Sequence, residues 1–158
     1  MALEQQDKEL VAIGASIGAL CRPCIDHHIP AGRDAGLTET ELAQAVEAAQ
    51  ATHRIATDLL FRHSRELLDG KAPADVAAAA EHTSRPGELV ALGASIGANC
   101  HPLLEQHVAG ALRQGLTQGQ VRSAIKMAQI VQQHAAEITA GKAANALEAA
   151  GPHPANVS

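Results

Sequence analysis

The chain of 158 residues has almost no large aromatic side chains, since Phe61 stands alone and both Trp and Tyr are absent. Its hydrophobic residues, 46% of the chain, are therefore mainly Ala, Leu, Val and Ile. Helices with such small side chains can approach one another closely, but they form a thin core. We therefore expect further apolar surface to be buried between subunits, in a homo-oligomer.

The sequence also lacks an excess of positive charge and any long apolar run. Its 12 Lys and Arg residues are outnumbered by 17 Asp and Glu residues, for a net charge of −5. Because no basic stripe is present, a nucleic-acid partner is not expected. No segment approaches the roughly 20 apolar residues of a membrane span. Glu4, Asp7 and Lys8 interrupt the region where a signal peptide is apolar. We expect no membrane partner and a cytoplasmic location.

What the chain does contain is an internal duplication. Residues 9–19, ELVAIGASIGA, return at 88–98 as ELVALGASIGA, and a cysteine follows each copy. With this offset of 79 residues, the two halves align without a gap from residue 9 to residue 73. We expect one domain over 1–150, with repeat one at about 3–72, repeat two at about 82–150, and a tail of low apolar content at 151–158.

Each repeat has the pattern of three helices, and no segment alternates with the period of a β-strand. The predicted fold class is therefore all-α. In repeat one the helices are expected near 3–19, from Cys21 to a left-handed Gly36, and from 38 to 68. A short alanine-rich helix at 74–82 is expected to join the repeats.

Several local signals within the helices recur in both repeats. Thr38 and Thr117 each begin a capping box. Glycines at 14, 18, 93 and 97 give the first helix of each repeat a small-residue face, which predicts close packing and favours contact between subunits. The apolar residues of the third helix that recur at helical spacing are Leu42, Val46, Ala49, Ile55, Leu59 and Leu60.

The residues best suited to chemistry are clustered where the repeats diverge. Cys21 and Cys24 lie at a predicted helix start, where free N–H groups and the helix dipole stabilise a thiolate. His28 follows Cys24 by one helical turn, so its imidazole can exchange a proton with that sulfur. Glu9 could orient His28 and complete a relay, or it could be a solvated residue of a first helical turn. Exposure alone favours the N-terminal sulfur, Cys21, as the attacking thiol.

Redox use of this pair is preferred over zinc binding or inert packing. In a reducing compartment a Cys-x-x-Cys pair usually carries redox or metal chemistry. A zinc site needs four ligands, and His27 and His28 point about 100° apart on a helix. Such a site would have to recruit a distant residue such as His53 or His63. No metal and no organic cofactor are therefore expected.

The second repeat has lost the dithiol, because Leu103 stands where the second sulfur would be. We expect Cys100, which has no partner, to be a buried small hydrophobe. His107 is at the position of His28 and is expected to be a satisfied interior histidine. The other histidines expected on the surface are His82, His134 and His153.

Glu9, Cys21-Arg-Pro-Cys24 and His28, followed by the segment AGLT at 35–38, resemble the carboxymuconolactone decarboxylase and alkyl hydroperoxidase D (AhpD-like) superfamily. The resemblance covers both repeats. It implies an all-α fold that assembles as a homotrimer when the repeat is duplicated. It also implies that Cys24 is the peroxidatic thiol and Cys21 the resolving thiol, with His28 and Glu9 as the proton relay. Peroxidase members have a histidine directly before the second cysteine, and Pro23 stands there, so a shorter relay is implied.

The leading hypothesis is thus a thiol-dependent peroxidase or disulfide oxidoreductase, with a small peroxide as substrate and a thiol or dithiol as electron donor. A lyase of the carboxymuconolactone decarboxylase type is the second enzymatic interpretation, although that reaction has no use for a dithiol. A non-enzymatic redox-sensing module is the third.

Overall fold

The computed structural model of the chain describes residues 2–72, 74, 76, 82 and 84–152. Over these residues the chain forms helices and no strand, which confirms the all-α prediction. The helices are α1 (Gln5–Gly18), α2 (Arg22–Asp34), α3 (Glu39–Leu68), α4 (Arg85–Gly97), α5 (His101–Arg113) and α6 (Gln118–Ala150). None of the described helices is long and apolar enough to cross a membrane.

The helices repeat with the offset read from the sequence, which confirms the two-repeat architecture. The starts of α2 and α5 are 79 residues apart, as are the starts of α3 and α6. Both predicted capping boxes form, at Thr38 and at Thr117. Gly36 has the predicted left-handed conformation (φ 95°), and so has Gly115 (φ 87°).

The centre of the core is the pair α1 and α4, which run in the same direction and pack along their length. A methyl group at Gly14 would overlap the carbonyl oxygen of Val90, and one at Gly93 would overlap that of Val11. The glycines four residues further along each helix approach the facing backbone in the same way. The small-residue faces are therefore used inside the chain, one repeat against the other. They no longer argue for a contact between subunits.

The core face of α3 differs from the spacing proposed for it. Its buried residues are Leu42, Ala45, Ala49, Thr52 and Ala56, whereas Val46 and Leu60 are exposed. Val46 follows a buried position by one residue, which turns its side chain about 100° away from the core stripe. No residue of α3 beyond Ala56 is buried. The second half of this helix therefore presents its apolar side chains outward.

Two predicted segments fall largely outside the described residues. Of the alanine-rich helix expected at 74–82, only Ala74, Val76 and His82 are described, and none of them is helical. Of the tail at 151–158, the described residues Gly151 and Pro152 are exposed and non-helical. The proposed domain limits stay a prediction.

Candidate active site

Cys21 and Cys24 form a disulfide at the start of α2, with their Cα atoms 5.2 Å apart. Cys21 is the N-cap residue, and Pro23 lies in the first turn, where its missing N–H leaves no helical hydrogen bond unmade. The backbone N–H of Cys24 donates to Cys21 Sγ over 3.3 Å. Both cysteines are buried.

Glu9 and His28 are brought together from α1 and α2. Glu9 Oε2 lies 2.9 Å from His28 Nδ1, and Gln5 Nε2 donates to Glu9 Oε1 over 2.9 Å. Glu9 is only 5% exposed, so the alternative of a solvated first-turn residue is wrong. Because an ionised carboxylate can only accept, the bond assigns the ring proton to Nδ1. The other nitrogen, Nε2, is left as the proton acceptor.

His28 and Cys24 lie one turn apart on α2, about 6 Å along the helix axis. The His27 ring does not extend this arrangement but packs edge-on against His28, with the ring centroids 4.8 Å apart. The predicted residues Glu9, His28, Cys24 and Cys21 thus lie where α1 meets the first two turns of α2. Their catalytic roles stay a prediction. Sequence reasoning missed Gln5, although its spacing of four residues before Glu9 on one helix is a usable signal.

The second repeat retains the carboxylate–imidazole pair without the dithiol. Glu88 Oε2 lies 2.9 Å from His107 Nδ1, and both residues are buried, which confirms the interior position predicted for His107. Leu103 is fully buried in place of the second sulfur. Cys100 is a free thiol that is only partly buried, so the expectation of a buried small hydrophobe was wrong.

His82 is a further member of this second cluster, and the prediction of a surface histidine was wrong for it. Its backbone N–H donates to Glu88 Oε1 over 3.2 Å, and its ring centroid lies 5.6 Å from that of His107. Burial lowers the pKa of His82 from its usual value, and the neighbouring His107 lowers it further, although Glu88 opposes this. No sequence signal marks this contact, because it depends on how the segment before α4 folds back. His134 is exposed, as predicted, and His153 lies outside the described residues.

The absence of a side chain at Gly110 leaves room for the Glu88 carboxylate. A methyl group on this residue of α5 would overlap the carboxylate of Glu88. The equivalent position in repeat one is Ala31. Within the part of the chain that the structure describes, no group of three or more His, Cys, Asp and Glu side chains is arranged to hold a metal ion.

Comparison with known proteins gives one clear relationship. Searches of curated proteins and of solved structures found no match. The family model described as the carboxymuconolactone decarboxylase family matches residues 2–59 and 69–146, one segment for each repeat and most of the chain together. The chain belongs to the carboxymuconolactone decarboxylase family.

Proposed function

We propose that the protein is a thiol-dependent peroxidase that cycles between a dithiol and a disulfide at Cys21 and Cys24. The observation that carries the proposal is the disulfide itself, formed one helical turn from His28, which is hydrogen-bonded to the buried Glu9. The disulfide supports the second half of such a cycle, because its formation requires the two sulfurs to reach bonding distance. The Glu9–His28 pair supports the first half, because a thiol must lose its proton before it attacks.

In the first step, His28 Nε2 takes the proton of the Cys24 thiol. The Cys24 thiolate then attacks one oxygen of the peroxide ROOH, so that an S–O bond forms and the O–O bond breaks. The leaving alkoxide takes a proton from His28 and departs as the alcohol ROH, and Cys24 is left as a sulfenic acid. The burial of both cysteines supports a small peroxide as the substrate over a bulky one.

In the second step, the Cys21 sulfur displaces the hydroxyl group of the sulfenic acid. The S–S bond forms, and one water molecule leaves. Two equivalents of a thiol donor, or one of a dithiol, then reduce the disulfide and are themselves oxidised to a disulfide. During this reduction the Cys21 sulfur leaves the disulfide as a thiolate. The backbone N–H of Cys24, which points to Cys21 Sγ, stabilises the negative charge of that thiolate.

The test is a thiol titration of the reduced protein before and after one equivalent of hydrogen peroxide. Rapid loss of two thiols per chain is expected, with Cys100 left free. Cys24→Ser should abolish the loss, and Cys21→Ser should leave a sulfenic acid that dimedone traps. Cys100→Ser is the matched control and should change neither result. Unchanged thiols in the wild type would overturn the proposal, and an adduct only in the Cys24 variant would reverse the two roles.

We further propose that the protein is a cytoplasmic homotrimer. A reducing compartment supplies the thiol donor that each cycle consumes. Exposed apolar residues near the end of α3 support burial against another subunit, since Phe61, Leu67 and Leu68 are 63%, 58% and 87% exposed. The number three rests on the family resemblance. Light scattering after size exclusion tests it, and a mass of one 16.3 kDa chain would contradict it.

A further inference from the structure

One cavity in the described part of the chain does not contain the disulfide. It has a volume of about 710 Å³ and lies between the second half of α3 and the junction of α4 with α5. Cys100 and His101 line it, whereas neither Cys21 nor Cys24 does. Its size falls within the range of small-molecule sites, which is about 300–1,000 Å³. The cavity therefore has the room of a ligand site, and the proposed peroxidase chemistry does not use it.

The wall of the cavity is largely apolar. Leu20, Leu60, Val76 and Pro102 contribute side chains from four different parts of the chain. Leu20 and Leu60 are 74% and 66% exposed, so the cavity holds apolar surface that a ligand could remove from water. Burial of such surface is worth about 25 cal/mol per Å². A ligand with a hydrocarbon body is therefore favoured over a fully polar one.

Several polar groups of the cavity are hydrogen-bond donors of arginine and histidine side chains. Arg62, His63 and His101 line it, and none of their side chains has a hydrogen-bond or ion-pair partner among the described residues. The one carboxylate in the lining, Glu66, accepts a hydrogen bond from the backbone N–H of Ala74 over 3.4 Å. The unused hydrogen-bond donors thus outnumber the acceptors. They complement a negatively charged group on a ligand.

His53, which also lines the cavity, has lost a contact that its counterpart in repeat two keeps. Its Nδ1 is buried without a hydrogen-bond partner among the described residues. In repeat two the equivalent residue, Gln132, donates to Ile96 O and to Asn99 Oδ1, both at 2.7 Å. Leu20, at the position of Asn99, offers no side-chain acceptor. Buried polar groups are nearly always satisfied, so His53 Nδ1 is an exception at the point where the repeats differ.

We propose that this cavity binds a small monocarboxylate with a hydrocarbon body, the carboxylate lying toward Arg62, His63 and His101 and the hydrocarbon against Leu20 and Leu60. The proposal is independent of the peroxidase proposal, because it concerns the protein with its disulfide intact. Arg62 is the residue that most determines the charge preference, since it is positively charged at any working pH.

Cys100 provides the assay, because it is the one thiol left free when Cys21 and Cys24 are joined, and it lines the cavity. The rate at which iodoacetamide alkylates the oxidised protein is measured with octanoate, with octanol and with acetate. At an octanoate concentration about ten times Kd the rate should fall roughly tenfold, because only free protein reacts. Octanol lacks the negative charge and acetate lacks the hydrocarbon body, so each should protect Cys100 from alkylation far less than octanoate does.

Arg62→Gln should raise the Kd for octanoate about tenfold, the loss expected for one charge-assisted hydrogen bond. Arg65→Gln, on the same exposed half of α3 but outside the cavity lining, is the matched control and should leave Kd unchanged. Calorimetric titration of the Cys100→Ser variant with octanoate should give the wild-type Kd without relying on the thiol.

Four results would overturn the proposal. These are no protection by octanoate, equal protection by octanol, equal weakening in the two arginine variants, and ligand-free alkylation that slows as the protein concentration rises. The last result would show that a second copy of the chain covers the cavity.

Discussion

Replacing Leu103 by cysteine should restore a second disulfide, because the backbone of repeat two already has the geometry of repeat one. Cys100 has φ −93° and ψ 94°, and Cys21 has φ −92° and ψ 96°. In both repeats a proline occupies the first turn of a helix of 13 residues. A sulfur at position 103 should therefore lie within bonding distance of Cys100, as Cys24 does for Cys21.

The cost of the change follows from the burial of Leu103, which is 0% exposed. Removal of part of a fully buried leucine side chain should cost about 2–3 kcal/mol. Closing a loop of about four residues with a disulfide should return about 1.9 kcal/mol through the unfolded state. The oxidised variant should thus be less stable than the oxidised wild type by at most about 1 kcal/mol, and the reduced variant less stable than the reduced wild type by about 2–3 kcal/mol.

The assay is a count of free thiols in denaturant after mild oxidation, together with urea unfolding of the oxidised and reduced forms. The oxidised wild type should show one free thiol, Cys100, and the Leu103→Cys variant none. Leu104→Cys is the matched control, because its side chain points about 100° away and should leave both thiols free. If the variant is folded but retains two free thiols, the inference from backbone equivalence is wrong.

Three further predictions concern the two carboxylate–imidazole pairs. Glu9→Gln should slow peroxide-dependent thiol loss by roughly 10²-fold, which is the lower end for a lost general acid–base group. In the same stopped-flow experiment, Glu88→Gln should leave the rate unchanged. Equal rates for Glu9→Gln and the wild type would show that Glu9 is not part of the relay. Gly110→Ala should lower the free energy of unfolding by about 1–3 kcal/mol, because its methyl group overlaps the Glu88 carboxylate. Gly141→Ala, with open space around it in α6, should raise that free energy by about 0.5–1 kcal/mol. Urea unfolding measures both changes, and a stabilised Gly110→Ala variant would contradict the contact. Burial lowers the pKa of His82, so the unfolded state binds a proton more readily than the folded state. The contribution of His82 to stability should therefore be present above pH about 6.5 and be lost as pH falls. The slope of the unfolding free energy against pH should be smaller in His82→Gln, and an identical slope would contradict this prediction.

The sequence by itself determined the helices and their repetition. Capping boxes at Thr38 and Thr117 and the left-handed Gly36 are local signals, because a helix end is specified by the few residues that satisfy its free N–H and C=O groups. The spacing of Cys24 and His28 likewise fixed their placement one turn apart on α2. Pattern alone thus placed Cys24 and His28 on the same helix.

Only the tertiary structure decided which side chains meet across helices. The hydrogen bond between Glu9 and His28 joins residues 19 positions apart, and it required α1 and α2 to pack at one particular angle. The glycine faces were visible in the sequence, but their partner was not, because a small-residue stripe accepts any helix backbone that approaches it. The contact of His82 with the Glu88–His107 pair and the cavity beside Cys100 were invisible for the same reason. Local structure depends on neighbouring residues, whereas these contacts depend on the whole arrangement of the helices.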